Sequence, residues 1–143
     1  MGMDATDAFV LDGSVTLAWG FTDKGDGYAT AILDKMPDLQ AYVSGLWPLE
    51  VANALLVGER HGRTTPADAA RFLAILGTFP ITVDSETVAR AWVETMHLAR
   101  AHNLSTYDAA YLELAMRLGL PLATLDGKLK AAATAVGITL FVV

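Results

Sequence analysis

Phe9-Val10-Leu11-Asp12-Gly13-Ser14 decides the fold. An apolar run of strand length stops at an Asp-Gly pair, which favours a turn, and Ser14 can cap a helix carrying Val15, Leu17, Ala18 and Phe21. The same order returns late in the chain. Leu120 to Leu125 reads as a strand, Asp126-Gly127 as the turn, and a helix follows to about Val136, with Ile138 to Val142 as a last strand.

The residues between fill in the alternation. After an interruption at Gly25 to Gly27, a helix runs from about Tyr28 to Met36, Pro37-Asp38 closes it, and Ala41 to Ser44 is extended. Pro48 opens a helix in which Val51, Leu55 and Leu56 share a face and which Gly62 stops. Thr65-Pro66-Ala67-Asp68 starts another, with Phe72, Leu73 and Leu76 inward, ahead of a strand at Ile81 to Val83. Ser85 opens a long helix through Trp92, Met96 and Leu98, and Thr106 can cap one carrying Ala109, Leu112, Ala115 and Met116 as far as Gly119.

Strands that alternate with helices imply a parallel sheet. With no repeat or linker in 143 residues, the expectation is a single doubly wound α/β domain over residues 1–143, bearing a helical hairpin at about 48–76.

Composition narrows the chemistry. Hydrophobic residues make up 53% of the chain, enough for a packed core. The absence of cysteine excludes disulfides, thiolate nucleophiles and zinc-thiolate sites, and it fits a reducing cytoplasm. Asp4 and Asp7 crowd the start, so a basic secretory leader is not expected. No uncharged stretch approaches the roughly 20 residues of a spanning helix, so no membrane contact is expected. A formal charge of −6 suits a basic partner and is unusual for a phosphate binder, unless bound cations reverse its sign locally.

Four acids stand at telling positions. Asp12 and Asp126 end strands, while Glu50 and Asp108 lie in the first turns of helices that open toward the same sheet edge, where open α/β folds bind ligands. Each has an ordinary explanation alone: Asp-Gly makes turns, and acids in a first helical turn gain roughly 0.3–1 kcal/mol from the helix dipole. Together they would repel until some protonated or a cation neutralised them. Oxygen donors select Mg²⁺ or Mn²⁺, and one ion or a pair can activate water and stabilise charge on a phosphoryl group. Asn53, one turn after Glu50, could hydrogen-bond a carboxylate or equally be ordinary polar surface.

The segments that carry these acids resemble the PIN-domain nucleases, and within them the VapC-type toxins of toxin-antitoxin pairs. The likeness covers nearly the whole chain. It rests on Phe9-Val10-Leu11-Asp12-Gly13-Ser14, Pro48-Leu49-Glu50-Val51-Ala52-Asn53-Ala54-Leu55, Leu104-Ser105-Thr106-Tyr107-Asp108-Ala109-Ala110-Tyr111 and Leu122-Ala123-Thr124-Leu125-Asp126-Gly127-Lys128-Leu129. The resemblance implies that Asp12, Glu50, Asp108 and Asp126 are the catalytic, metal-binding acids of a Mg²⁺- or Mn²⁺-dependent endoribonuclease, with Ser14 and Thr124 in support. It further implies a five-stranded parallel sheet flanked by helices, a homodimer, and inhibition by a small VapB-like antitoxin.

Other readings remain open. A DNA-directed PIN-type nuclease would use the same acids, and a non-catalytic metal- or protein-binding module would use none of them chemically. An aspartyl-phosphate phosphatase needs Asp-x-Asp after the first strand, where this chain has Ser14. A receiver domain would have to draw on Asp84 as phospho-acceptor. His61, His97 and His102 lack ligand spacing. Arg60, Arg63 and Lys128 are candidates for phosphate contact or for solvated charge. Trp19, Phe21 and Trp47 suit either a core or a partner groove.

Overall fold

The computed structural model describes residues 7–21 and 25–143, so Asp4 lies outside the described residues. The first strand, β1 (Ala8–Leu11), is buried from Phe9 onward, as a strand covered on both faces must be. Helix α1 (Gly13–Gly20) follows at once. Its cap is Asp12, not Ser14: the Asp12 carboxylate accepts from Val15 N at 3.0 Å. An aspartate at the N-cap satisfies an orphan donor and sits at the positive end of the helix dipole, so the turn chemistry and the acid's position have one cause.

Helix α2 (Gly27–Lys35) and a 3₁₀ turn (Met36–Asp38) lead to β2 (Gln40–Val43), then α3 (Trp47–Arg60), α4 (Pro66–Leu76) and β3 (Ile81–Val83). Beyond them come α5 (Met96–His102), α6 (Thr106–Leu118), β4 (Leu122–Ala123) and α7 (Gly127–Ala135). The sheet order is β3-β2-β1-β4, with every pairing parallel. The chain steps from β1 to β2 on one side and reaches β4 on the other. The strand order therefore reverses between β1 and β4, which is where such sheets leave a crevice at their carboxyl edge.

The expected fifth strand is not formed; among the described residues the sheet has four strands. Its segment is reduced to one parallel bridge between Leu140 and Leu122, with Phe141 N donating to Leu122 O at 2.9 Å. The partner strand β4 is two residues long, so no ladder can extend along it. Phe141 still packs inward and stacks on Phe9 at 4.1 Å between ring centroids, while Val142 is exposed.

The long helix expected from Ser85 also differs. Residues 87–90 form turns and Ala91–Thr95 a π-helical turn, with Thr95 N donating to Arg90 O, before α5 begins. Side chains at its start are engaged elsewhere: Thr87 Oγ1 donates to Asp84 Oδ2 at 2.7 Å and accepts from Gly45 N at 2.8 Å. These bonds fasten the segment to the loop after β2 and compete with helix initiation.

A single hydrophobic cluster links the strands to α1, α2, α3, α6 and α7, from Phe9 to Phe141. Trp47 and Phe21 belong to it, and Trp19 packs against it. The indole N–H of Trp47 donates to Thr16 Oγ1 and that of Trp19 to Ala29 O, so these aromatics serve the interior, with Trp47 also lining a recess beside Leu73 and Phe79. Two residues expected inward point to solvent, Leu56 on α3 and Leu73 on α4. Among the described residues no helix is long and apolar enough to cross a membrane.

Candidate active site

The four acids form a row of neighbours at the carboxyl edge of the sheet. Asp12 is buried at the end of β1 and held by oxygen donors: Ser14 Oγ lies 2.7 Å and 2.9 Å from its two carboxylate oxygens, and Thr124 Oγ1 donates to Oδ2. Ser14 and Thr124 are themselves fixed, since Ser14 Oγ accepts from Leu125 N at 2.9 Å and Thr124 Oγ1 from Asp126 N at 3.0 Å. The loop after β4 is thus clamped to the turn after β1 through the oxygens that hold Asp12.

Glu50, in the first turn of α3, reaches back to that turn. A Cβ at Gly13 would meet Glu50 Oε2, so a larger residue there would push this carboxylate out of its place beside Asp12. Tyr111 donates its hydroxyl to Glu50 Oε1 at 2.7 Å. Asp108 occupies the first turn of α6, whose cap is Ser105 rather than Thr106; the Ser105 hydroxyl accepts from Asp108 N at 3.1 Å. Asp126 caps α7, accepting from Lys128 N at 2.9 Å, and lies within hydrogen-bonding reach of Asp108.

The electrostatics agree with that row. Burial lifts Asp12 from 3.8 to about 6 against the opposing bonds from Thr124, Val15 and Ser14, and the Glu50 charge adds to the rise. Glu50 is raised by burial, eased by the Tyr111 bond, and raised again by the charge of Asp108. Asp108 is raised by burial and by Asp126. Each acid is felt by the next. Among the described residues, none of the four is in an ion pair with lysine or arginine.

All the donors in this row are hard oxygens whose negative charge no cation among the described residues compensates, which suits a divalent ion of the Mg²⁺ class. The carboxylates are strung out rather than converged: among the described residues no three acids or histidines are drawn together tightly enough to hold an ion as they stand. Donor chemistry fits a metal, and closure around one needs carboxylates to turn inward. A cavity of about 500 Å³ opens beside Glu50 and Asp108, lined also by Leu46, Leu49, Asn53, Ser105 and Tyr107.

Ser14 and Thr124 thus touch an acid, whereas Asn53 shares the cavity with Glu50 from an exposed position. His61 and His97 are exposed, and His102 lines a separate recess with Lys128. Asp84 is bound by Arg117 instead of standing in the crevice. Sequence reasoning missed Gly13 and Tyr111. Tyr111 follows Asp108 by three residues on α6, a spacing that places both on one helix face and was the available signal.

Residues 9–135 match the model of the PIN domain. The chain belongs to the PIN-domain family. Among relatives, this PIN domain is 35% identical over 92 residues to Ribonuclease VapC3 of Pyrobaculum aerophilum, across 64% of the chain and 65% of that protein, so the match spans just under two thirds of the relative's length. The crystal structure of PAE2754 from the same organism superimposes with a TM-score of 0.67 at 27% identity, covering 99% of this chain and 91% of that one. A toxin-antitoxin complex from Klebsiella pneumoniae shares the fold, with a TM-score of 0.58 at 20% identity over 86% of this chain and 90% of that one.

Proposed function

We propose that this PIN domain is a metal-dependent endoribonuclease that hydrolyses RNA phosphodiester bonds and acts as the toxin of a toxin-antitoxin pair, the chain 1–143 working as one unit. The observation that carries the reading is the row Asp12, Glu50, Asp108, Asp126 at the strand-order reversal, mutually repelling and without a counter-cation among the described residues. PIN-domain nucleases generally use divalent ions, and the similar proteins supply the class of reaction and partner: one is a ribonuclease and another lies in a toxin-antitoxin complex.

In this reading the four carboxylates hold Mg²⁺, for which Mn²⁺ can substitute. When bound, the ion supplies charge to activate water and to offset negative charge on the phosphoryl oxygens. The protein's own groups do the rest. Ser14, Thr124 and Val15 N fix the Asp12 carboxylate, Tyr111 fixes Glu50 Oε1, and Asp108 and Asp126, half-buried at the open side, orient the attacking water. Asn53 lies beside Glu50 to bond RNA or a water held by the acids. The partners of the reading are a VapB-like antitoxin and a second copy of the chain, and its setting is the cytoplasm. The exposed apolar residues Val88, Trp92 and Val93 give such protein contacts surface to bury.

The test is incubation of partner-free protein with structured RNAs and single-stranded DNA in Mg²⁺, Mn²⁺ or EDTA, beside folded Asp12→Asn and Asp108→Asn. Cuts in RNA that need metal and fall at least about a hundredfold in both variants are expected, a loss in the range of general acid-base and metal assistance. Cuts in DNA alone would favour the DNA-directed alternative. Identical behaviour of all three proteins on both substrates would leave a binding module.

A further inference from the structure

The cavity beside Glu50 and Asp108 has one wall that holding an ion does not explain. Besides the acids it is lined by Leu46, Leu49 and Tyr107, and by Asn53 and Ser105. Leu49 is 71% exposed and Tyr107 64% exposed. Tyr107 precedes Asp108 directly in the first turn of α6, yet its ring joins neither the core nor an aromatic pair among the described residues. Tyr111, one turn on, is 1% exposed and bonded to Glu50. The same helix thus commits one tyrosine to the acids and leaves another open to the solvent beside them.

A large ring and a leucine left in water next to a polar crevice are surface waiting for a ligand. The lining limits what that ligand is. An acidic wall repels phosphate and accepts N–H groups, the Asn53 amide both donates and accepts, and Tyr107 with the two leucines offers flat apolar contact. A nucleobase is uncharged, planar, faced with π-electrons and edged with N–H and carbonyl groups, and it meets all three. A volume of about 500 Å³ lies within the usual range for small-ligand sites and admits a base with its sugar. Bases in a duplex have no free face, whereas unpaired ones stack on aromatic side chains.

We propose that this cavity is a nucleobase subsite in which Tyr107 stacks on an unpaired base next to the cleaved phosphate and Asn53 bonds its edge. The inference rests on the ribonuclease reading above and adds to it the side chains that hold a base beside the cut.

The test uses the folded Asp12→Asn chain, expected to leave RNA essentially uncut over the measurement, in Mg²⁺. Fluorescence anisotropy measures binding of a labelled single-stranded 10-mer ribonucleotide of mixed sequence, the same 10-mer with abasic ribose throughout, and hexa-arginine. Adding Tyr107→Ala is expected to weaken the normal oligomer about tenfold, in line with the usual worth of one stacked base. Tyr107→Phe recovers the affinity, and the abasic oligomer binds with and without Tyr107 alike. If Tyr107→Ala leaves the affinity for the normal oligomer unchanged, while the native chain still cuts RNA, the subsite is overturned and the nuclease is spared. A loss confined to hexa-arginine marks a protein contact and overturns it as well. If the native chain neither binds nor cuts RNA, both readings fall.

Discussion

Helix α6 carries an acidic cluster toward each end, and the two differ in their counter-charges. At its start, Asp108 stands with Asp126, Glu50 and Asp12, all without arginine or lysine among the described residues. At its far end, Glu113 stands with Asp84 and Glu86 around Arg117, which reaches Asp84 at 2.8 Å and Glu113 at 3.0 Å, with Arg90 at 3.8 Å from Glu113. Burial pushes Asp84 upward too, yet the bonds from Arg117 and Thr87 and the guanidinium charge outweigh it and hold Asp84 below the ordinary carboxylate range. Asp12, Glu50 and Asp108, at the start of α6, are pushed the other way. A cluster of carboxylates is therefore uninformative until its counter-charges are counted: one end is neutralised from within and fastens β3 to α6, and the other has no counter-cation among the described residues.

The largest expected effect comes from breaking the neutral end. Arg117→Met leaves Asp84 without its cation and Glu113 with only the longer contact to Arg90 at 3.8 Å, the two acid side chains being about 10% and 7% exposed. Removing one partner of a buried ion pair costs about 3–5 kcal/mol. A depressed carboxylate contributes stability that is present above its unfolded pKa and is lost as pH falls through its folded value. The gap between native and Arg117→Met in urea unfolding is thus expected to be wide at pH 7.5 and to narrow toward pH 3. A gap of constant size would mean that the guanidinium acts through packing and not through charge.

The opposite sign is expected at the uncompensated end. Asp12 is raised to about 6 by burial first and by Glu50 last, so in EDTA its contribution favours the fold at low pH and is lost as pH rises from 3.8 through about 6. Asp12→Asn keeps a capping side chain and removes the buried charge. Its metal-free form is expected to be more stable than native at pH 7.5, by on the order of 1–3 kcal/mol, with little or no gain at pH 4. Mn²⁺ should raise the melting temperature of the native chain more than that of the variant. An Asp12→Asn protein that melts below native in EDTA at pH 7.5 would show that the carboxylate is comfortable where it lies, and the contrast between the two ends would fail.

Much of this was legible in the residues, and the misses share a cause. Apolar runs ending in Asp-Gly marked β1 and β4 and the start of the helices after them, because turn chemistry is local and so are strand ends. The placement of four acids at one edge followed from alternating strands and helices. What escaped depends on partners distant in sequence. Ser14 looks like a cap until Thr124 and Leu125 arrive to occupy it. Ile138 to Val142 has strand composition, but its pairing was limited by the two residues of β4. The segment after Ser85 has helical periodicity and is diverted by Gly45 and Arg117. Leu56 and Leu73 fit an inward stripe on their own helices, and only the packed structure leaves them outside.

Tyr111 is such a partner and gives the smallest and sharpest test. It sits on α6 between the two clusters, buried, its own proton held on by burial and by the charge of Glu50, so it remains a donor at any working pH. Tyr111→Phe removes a bond of 2.7 Å to Glu50 Oε1 and leaves the ring in place. A hydrogen bond to a charged group contributes roughly 1.5–3 kcal/mol when enclosed; Glu50 is only half-buried, which reduces the expected cost to about 1 kcal/mol. That cost belongs to the ionised Glu50. The variant should therefore melt below native at pH 7.5 and approach it at pH 4, where Glu50, already raised by burial and by Asp108, takes up its proton. An equal deficit at both pH values would reduce Tyr111 to a packing residue and detach Glu50 from the uncompensated row.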